Sequence, residues 1–309
     1  MIDYLDEDVA YLLGLIIGRG EFLKKDNETI ITIHFPFKQE RLEGYVQFSE
    51  IIKSIHTNIY KRINNLLETP INIEPLEKES SVYLKIRFFG NPLSLRNIRL
   101  LLKNRLVYSQ FLIPEEIYFQ DNLNIIKEFI KGFADASGNI RRSNRDQIGR
   151  HRVYLDILNI NWYLPVQLCF LLQNKLKIPV SNILWGHPNL RDPKSKGGKE
   201  AWSREHQIRI YAEAFREIGF SIDYKNKLLQ ELADENIQKF GNLNLSFCNP
   251  LKKRKGEGKS KIHKGEKSND LPSEIRGKHF NSYWEICAHF GCQEAQEKLK
   301  NLERQKKIF

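Results

Sequence analysis

The sequence has 309 residues, of which 41% are hydrophobic and 28% are charged, and it carries a formal net charge of +11. This apolar fraction excludes an intrinsically disordered chain, and 18 Gly and 11 Pro exclude a collagen-like one. A pI near 9.3 favours a polyanionic partner, most often nucleic acid. A solvated basic surface with no such partner would give the same balance.

The cysteines and the N-terminus indicate an intracellular protein that is not secreted. The four cysteines, Cys169, Cys248, Cys287 and Cys292, are too few for a disulfide scaffold in a chain of this length. The N-terminus is acidic and lacks the positive start of a secretory signal. The longest apolar stretch, Val9 to Gly18, is shorter than the roughly 20 residues that a membrane span needs, so no membrane partner is expected.

Two segments of the chain repeat each other. One runs from Ala10 to Phe22 and the other from Phe129 to Ile140, and Gly14 aligns with Gly132 at a spacing of 118 residues. Each segment is an apolar helix with a central glycine, followed by a small-residue turn and a strand. Each is then followed by a pattern that predicts a second strand, a helix, two strands and a closing helix.

The repeat predicts an α+β chain with matching elements in its two halves. In the first half we predict strands over Glu21–Lys25, Thr29–Phe35, Ile71–Pro75 and Val82–Phe88, with later helices over Ser49–Leu67 and Leu93–Leu106. In the second half we predict strands over Asn139–Ser143, Arg152–Leu158, Val180–Trp185 and Gln207–Tyr211, with later helices over Leu164–Leu176 and Lys225–Asn236.

Small residues recur on one face of each repeated helix. Gly14 and Gly18 are four residues apart, as are Gly132 and Ala136. A glycine inside a helix costs about 1 kcal/mol relative to alanine, so its presence needs a reason. We predict that the two helices pack closely through these four residues about a pseudo-twofold axis. The alternative is two ordinary core helices that each tolerate a glycine.

The two segments resemble the motif of the LAGLIDADG homing endonucleases. Leu12–Gly20 (LLGLIIGRG) and Ile130–Gly138 (IKGFADASG) occupy the motif positions. The resemblance implies a monomer with two pseudo-symmetric αββαββα repeats, over residues 1–118 and 119–240, whose sheets form a saddle on double-stranded DNA. A basic linker over 241–275 and a small helical C-terminal segment over 276–309 would follow. A DNA-binding protein of this kind would be cytoplasmic and nucleoid-associated.

The chain departs from the family at the positions that carry its chemistry. The resemblance implies an acid before the last glycine of each motif, which binds a divalent metal ion for phosphodiester cleavage. Here those positions are Arg19 and Ser137. Glu21 and Asp135 lie nearby and are the candidate catalytic residues and ligands for Mg²⁺ if the protein cleaves DNA. Glu21 could instead pair with Arg19, Asp135 could be a polar group at the helix end, and Arg19 could contact a phosphate.

Strand alternation predicts which side chains would contact DNA. The residues that this pattern and the arginine-rich loop after the second motif select are His34, Lys85, Arg87, Arg141, Arg142, Arg145, Arg152, Tyr154, Gln207 and Arg209. The same loop contains Arg150, which brings five arginines into 12 residues and fits phosphate binding. An ordinary solvated sheet would show the same alternation, more often with mixed Glu and Lys.

Three functions are compatible with these patterns. The first is sequence-specific binding of double-stranded DNA by an endonuclease-like protein, with metal-dependent cleavage if Glu21 and Asp135 suffice. The second is a cleavage-deficient DNA-binding regulator, and the third is an RNA-binding splicing helper. Near the C-terminus, Cys287, His289 and Cys292 raise the question of zinc, but they lack a clear partner pair and packing cysteines are favoured.

Overall fold

The computed structural model describes residues 5–37, 47–79, 81–142, 149–158, 161, 163–188 and 204–243. The chain divides into two compact units, Met1–Arg254 and Lys255–Phe309, and every described residue lies in the first. The described part has two four-stranded antiparallel sheets and a set of helices, which confirms the predicted α+β class. The predicted C-terminal segment, most of the basic linker and Arg145 lie outside the described residues.

The first half contains the predicted elements in the predicted order. Its elements are α1 (Glu7–Arg19), β1 (Gly20–Lys25), β2 (Glu28–Pro36), α2 (Phe48–Ser54), a π-helical segment (Ile55–Tyr60), α3 (Lys61–Leu67), β3 (Ile71–Leu76), β4 (Ser81–Phe89) and α4 (Leu93–Leu101). The closing helix ends earlier than the predicted Leu106, because Lys103 and Asn104 adopt positive φ angles that turn the chain out of the helix.

The second half repeats this order after a short helix, α5 (Glu115–Tyr118). Its elements are α6 (Leu123–Ser137), β5 (Gly138–Arg141), β6 (Arg152–Leu158), α7 (Tyr163–Phe170), a π-helical segment (Leu171–Lys175), β7 (Val180–Pro188), β8 (Arg204–Tyr211), α8 (Ala212–Phe215) and α9 (Asp223–Phe240). The strand predicted over Asn139–Ser143 is shorter and ends at Arg141, whereas the strand predicted from Gln207 begins earlier, at Arg204.

The two sheets have equivalent strand orders, β1-β2-β4-β3 and β5-β6-β8-β7. Alternate residues of the central strands are fully buried beneath each sheet, as Ile31 and Leu84 are in the first half and Leu155 and Ile208 in the second. The other residues of these strands lie on the opposite, polar face of each sheet. The repeat therefore produces two related polar faces, one in each half of the molecule.

Helices α1 and α6 pack against each other through their small residues. A Cβ atom at Gly14 would lie 2.1 Å from the carbonyl oxygen of Phe129, and one at Gly132 would lie 2.1 Å from that of Tyr11. Real Cβ atoms do not approach an oxygen so closely, so only glycine allows the two backbones to meet here. Farther along, a Cβ at Gly18 would lie 3.2 Å from the Cβ of Ala136.

The N-terminal parts of the two helices are also joined by Arg62 of α3. Its Nε donates to Asp8 at 2.6 Å and its Nη1 donates to Glu128 at 2.6 Å. The guanidinium also lies 4.2 Å from the ring centroid of Tyr11. One side chain therefore connects α1 with α6 and holds both against α3.

At their other ends, α1 and α6 continue directly into strands. Gly20 and Gly138 cap the helices with extended backbone angles, and their N–H groups donate to carbonyls four residues back. A Cβ at Gly20 would lie 2.6 Å from the Ile16 carbonyl oxygen. No loop residue separates each helix from the strand that follows it. The positions of Arg19 and Ser137 are therefore set by the end of each helix.

Candidate nucleic-acid interface

The polar face of the second sheet is built around Asp156 of β6. One oxygen of Asp156 accepts a hydrogen bond from Asn139 at 2.8 Å and the other accepts one from Gln207 at 2.8 Å. Gln207 in turn accepts from the Nε of Arg209 at 3.1 Å, and Asn139 accepts from the Nε of Arg141 at 2.7 Å. This chain of hydrogen bonds crosses strands β5, β6 and β8 and holds two arginines in defined positions.

Tyrosine rings support the arginines of this face. The Cζ atoms of Arg141 and Arg209 lie 4.8 Å and 5.3 Å from the ring centroid of Tyr154. The Cζ of Arg152 lies 5.5 Å from the ring of Tyr211. Such stacking holds a guanidinium in a fixed orientation.

The arginines of the second sheet are close enough to repel one another. Burial lowers the pKa of Arg209, and the neighbouring Arg152 and Arg141 lower it further. Tyr154 and Asp156 only partly oppose these effects. Among the described residues, Arg152 and Arg209 form no ion pair. A cluster of like charges that is held together in this way is suited to binding an anion.

The predicted exposure of this face is only partly correct. Tyr154 and Gln207 lie on the polar side, as expected, but both are buried. Arg141 and Arg209 cover the ring of Tyr154, and Gln207 is tied to Asp156. These two residues therefore position the arginines that surround them.

The polar face of the first sheet has a different charge arrangement. Lys85 forms an ion pair with Glu74 at 2.6 Å, and Arg87 forms one with Glu28 at 3.0 Å. His34 lies at 3.1 Å from the hydroxyl of Ser81 and stacks on the ring of Tyr83. The predicted basic side chains are all present here, but carboxylates within the same sheet offset the charges of Lys85 and Arg87.

Arg19, at the end of α1, reaches across to the second sheet. Its Nη2 lies 3.5 Å from an oxygen of Glu205, while its Nε is buried and has no hydrogen-bond partner. Burial opposes the charge of this side chain. The nearby Glu205, Tyr108 and Asp156 outweigh burial and hold the pKa of the guanidinium above its ordinary value. The predicted alternative of a pair between Arg19 and Glu21 is not formed in the structure, which pairs Arg19 with Glu205.

Tyr108 completes the surroundings of Arg19. Burial raises the pKa of the Tyr108 phenol to about 12, although Arg19 and a backbone hydrogen bond at Leu158 act in the opposite direction. The phenol is therefore neutral near pH 7. Arg19 is thus the cation in a group whose acidic members are Glu205 and Asp156.

At the end of α6, a buried lysine is the nearest cation. The Nζ of Lys225 donates to the carbonyl oxygen of Asp135 at 3.0 Å and to that of Gly138 at 2.8 Å. Ser137, at the second motif position, donates its hydroxyl to the Phe133 carbonyl at 2.9 Å. A positive charge at a helix C-terminus is favourable because it meets the negative end of the helix dipole.

Asp135 has a fully buried side chain that is bonded to other protein groups. Its oxygens accept from the hydroxyl of Tyr11 at 2.7 Å and from the backbone N–H of Ser221 at 3.0 Å and 3.2 Å. Burial raises the pKa of Asp135, while Lys225, Tyr11 and Ser221 oppose the increase. Because protein donors already occupy both oxygens, this environment is that of a structural carboxylate between helices, not of a metal ligand.

The residues at the motif ends do not fit the divalent metal ion that the resemblance implies. Glu21 is exposed on β1, and no hydrogen bond or ion pair joins it to Asp135 in the described part of the chain. Within the same ranges, no group of three or more His, Cys, Asp or Glu side chains is arranged to hold a metal ion. Hard cations need several oxygen ligands, and Arg19 contributes positive charge instead.

The arginine-rich loop is divided between structural and surface roles. Arg150 donates to Glu213 at 2.5 Å and to the backbone carbonyls of Phe240 and Gly241, so it holds the end of α9. The Nη1 of Arg142 donates to both carboxylate oxygens of Glu235, at 2.6 Å and 2.8 Å. The expectation of phosphate binding is therefore not supported for Arg150.

Several residues of this site were missed by the sequence analysis. Glu205 precedes the strand predicted from Gln207, so its place on β8 could not be anticipated. Asp156 was not singled out, although its alternation with Tyr154 on β6 was an available signal. Tyr108 follows the closing helix, and nothing in its local sequence connects it with Arg19.

Comparisons with known proteins give similarity only at the level of solved structures. No family model matches the chain, and no curated protein matches it. The chain is similar to the homing endonuclease I-DmoI in a complex with DNA and Ca, with 18% identity, a TM-score of 0.40 and coverage of 68% of this chain and 86% of that chain.

It is also similar to the LAGLIDADG homing endonuclease I-GzeII in a complex with its DNA target. Here the identity is 11% and the TM-score is 0.37, and the match covers 75% of this chain and 91% of that chain. No helix in the described ranges is both long and apolar enough to cross a membrane.

Proposed function

We propose that this protein binds double-stranded DNA through the polar faces of its two sheets, as a monomer and without metal-dependent cleavage. The observation that carries the proposal is the arginine cluster of the second sheet, where Arg141, Arg152 and Arg209 surround tyrosine rings. The motif resemblance favours duplex DNA among the possible polyanions.

The cluster has the properties of a phosphate-binding surface. A fixed guanidinium offers several donors in a plane that matches the oxygens of a phosphate. Burial lowers the pKa of Arg209, and the neighbouring Arg152 and Arg141 lower it further. The Nε of Arg152 is buried, so a phosphate would meet the Nη groups of this side chain, and its negative charge would offset the repulsion between the arginines. The net charge of +11 adds long-range attraction for the same partner.

Base recognition would come from polar side chains between the phosphate contacts. Gln207 and Asn139 carry amide groups of the type that read base edges in the major groove, but their hydrogen bonds to Asp156 already engage them. On the first sheet, His34 contacts Ser81 and Lys85 pairs with Glu74, so base contacts on either sheet would replace hydrogen bonds or ion pairs within the protein. We propose that these exchanges make binding depend on DNA sequence, with phosphate contacts supplying most of the affinity.

The absence of cleavage follows from the donor set at the motif ends. Arg19 is a cation and Ser137 donates its hydroxyl to the backbone, so neither supplies a carboxylate. Asp135 is buried with protein donors on both oxygens. For these reasons, we propose the cleavage-deficient DNA-binding alternative over the endonuclease.

The test is a selection from a randomised duplex pool with the full-length protein, in EDTA and in Mg²⁺, with structured RNA and single-stranded DNA as competitors. We expect one family of duplex sequences to be enriched in both buffers and to remain intact. Preferential retention of the RNA would contradict the proposal and support the splicing-helper alternative. Mg²⁺-dependent cutting that disappears in Glu21→Gln with Asp135→Asn would restore the endonuclease.

A further inference from the structure

We propose that Arg19 supplies the fixed positive charge where the two motif helices end and binds a backbone phosphate of the duplex there without a divalent metal ion. This inference rests on the proposed DNA binding and assigns one residue of that interface. It concerns the motif position where the family resemblance implies a metal-binding acid.

Arg19 lies where the first motif helix ends. The residue is the last one of α1, and Gly20 follows it directly into β1 without an intervening loop. At Gly18 the helix is still in contact with Phe133 and Ala136 of α6. Arg19 therefore starts at the seam between the two halves and ends beside Glu205 on the second sheet.

Arg19 uses few of its hydrogen-bond donors within the described part of the chain. A guanidinium has five N–H groups. Within the described part of the chain, the side chain makes a single long contact of 3.5 Å, from Nη2 to Glu205, and its Nε is buried without a partner. The buried Nε cannot be reached by a ligand, but the Nη groups of Arg19 are not buried and can donate to the oxygens of a phosphate.

The groups near Arg19 include two carboxylates and one phenol. Glu205 and Asp156 stabilise the cation, and the Tyr108 phenol beside them is neutral near pH 7. Asp156 already accepts hydrogen bonds from Asn139 and Gln207. Glu205 is thus the acid that holds Arg19 in place, and it also competes with an incoming phosphate for the same guanidinium.

The end of the other motif helix has an equivalent charge. The ammonium of Lys225 donates to the carbonyls of Asp135 and Gly138, at the C-terminus of α6. Each motif helix therefore ends beside a cation supplied by the protein. Lys225 is buried and neutralises the helix end from inside, whereas the side chain of Arg19 is 23% exposed and accessible to a ligand.

The experiment uses the full-length protein and a duplex enriched by the selection described above. Affinity is measured over a range of salt concentrations, in EDTA and in Mg²⁺, for wild type, Arg19→Gln, Glu205→Gln and Lys103→Gln. Lys103, which follows α4, forms an ion pair with Glu115. The Lys103→Gln variant therefore removes one positive charge, as Arg19→Gln does, but at a different position. Thermal unfolding of each variant is recorded in parallel.

We expect Arg19→Gln to weaken binding about tenfold and to reduce the salt slope by about one phosphate contact. Glu205→Gln is expected to bind as tightly as wild type or a few times more tightly, because it releases Arg19 from its competing partner. Lys103→Gln is expected to change affinity less than about twofold, as a surface pair does. Wild type is expected to bind equally in EDTA and in Mg²⁺ at matched ionic strength.

Three results would overturn the inference while leaving DNA binding intact. One is an unchanged affinity for Arg19→Gln. Another is an equal loss in Glu205→Gln and Arg19→Gln, which would make their ion pair purely structural. The third is a requirement of wild type for Mg²⁺. If Arg19→Gln does not fold, a loss of affinity in the folded Glu205→Gln variant overturns the inference, and retained or tighter binding supports it. Failure to enrich any duplex would instead contradict the proposed function itself.

Discussion

The two sheets have the same strand order, but they hold the basic side chains of their polar faces in different ways. On the first sheet, Lys85 and Arg87 are paired with Glu74 and Glu28. On the second sheet, Arg152 and Arg209 lie against aromatic rings and form no ion pair among the described residues. The same strand order therefore does not produce the same electrostatics. An anion would meet more available positive charge on the second sheet.

This difference shows how a repeat can diverge without losing its architecture. The apolar residues of the central strands alternate in both halves, because they must fill the same space under each sheet. The polar residues are released from that requirement. On the first sheet, acidic residues neutralise the neighbouring basic side chains. On the second sheet, the positive charge of the arginines is available to a binding partner.

The largest effect is expected on stability, from a variant that forces apart α1 and α6, the helices that join the two halves. Gly14→Ala would place a Cβ 2.1 Å from the Phe129 carbonyl oxygen and 2.8 Å from the Phe133 nitrogen, so the helices must move apart. We expect a loss of about 3 kcal/mol or more in the free energy of unfolding, measured by urea denaturation. The matched control is Gly18→Ala, where the nearest atoms would be 3.1 Å and 3.2 Å away and the change should stay within about 1 kcal/mol. Equal stability of the two variants would contradict a backbone contact at Gly14.

The next effect compares the faces directly. The double variant Arg152→Gln with Arg209→Gln should weaken binding to the selected duplex about 100-fold, since two charge-assisted phosphate contacts are lost. The double variant Lys85→Gln with Arg87→Gln removes the same charge from the first sheet, and we expect less than about a threefold loss. Fluorescence anisotropy at fixed salt measures both. Equal losses would show that the ion pairs of the first sheet open on binding.

A smaller effect is expected from removing the acids of the first sheet. Glu28→Gln with Glu74→Gln would release Arg87 and Lys85 from their partners. We expect the affinity for duplex DNA to increase about fivefold and the salt dependence to become steeper, because two more cations become available. The same anisotropy titration in several salt concentrations tests this. A decrease in affinity would mean that the acids position the basic side chains for binding.

The smallest effect concerns Arg142, an arginine of the second half that does have an acidic partner. The hydrogen bond from Arg142 lowers the pKa of Glu235, and burial partly opposes this effect. His151 lowers the pKa of Glu235 further. A carboxylate with a lowered folded-state pKa stabilises the protein above its unfolded-state pKa, and this contribution is lost as the pH falls through the folded-state value.

Glu235→Gln should therefore be less stable than wild type at pH 7, by less than about 1 kcal/mol because the pair is exposed to solvent. The difference should shrink only at a pH below the ordinary range of a glutamate, near 4.3. Urea denaturation at pH 7, 5 and 3 measures it. A difference that stays constant over this range would assign the effect to packing and not to charge.

Sequence patterns predicted the fold well where hydrophobic periodicity determines it. The strand over Arg152–Leu158 has the predicted bounds, and the order of elements in both halves is as expected. Local turns were harder to predict, because positive φ angles at Lys103 and Asn104 end α4 early without a glycine to signal them. The π-helical segments in the middle helix of each half also have no counterpart in the periodicity.

The site was less predictable, because its contacts join residues that are far apart in the chain. The departure from the motif at Arg19 was visible in the sequence, but its partner Glu205 is 186 residues away. Asp135 looked like a candidate ligand until its burial against Tyr11 and Ser221 was known. Residue type indicates which chemistry is possible, whereas burial and partners decide which side chains remain available.

The glycine contact between α1 and α6 has a consequence for how a bound duplex would be read. At Gly14 and Gly132 the helices meet through backbone atoms, with no side chains between them that could change rotamer and let the two halves shift. Rotamer changes at this contact therefore cannot alter the spacing between the two polar faces. If duplex DNA is the partner, the bending and twisting needed for both faces to engage must come from the DNA. Flexible base steps between the contacted positions would then favour binding, including at base pairs that no side chain touches.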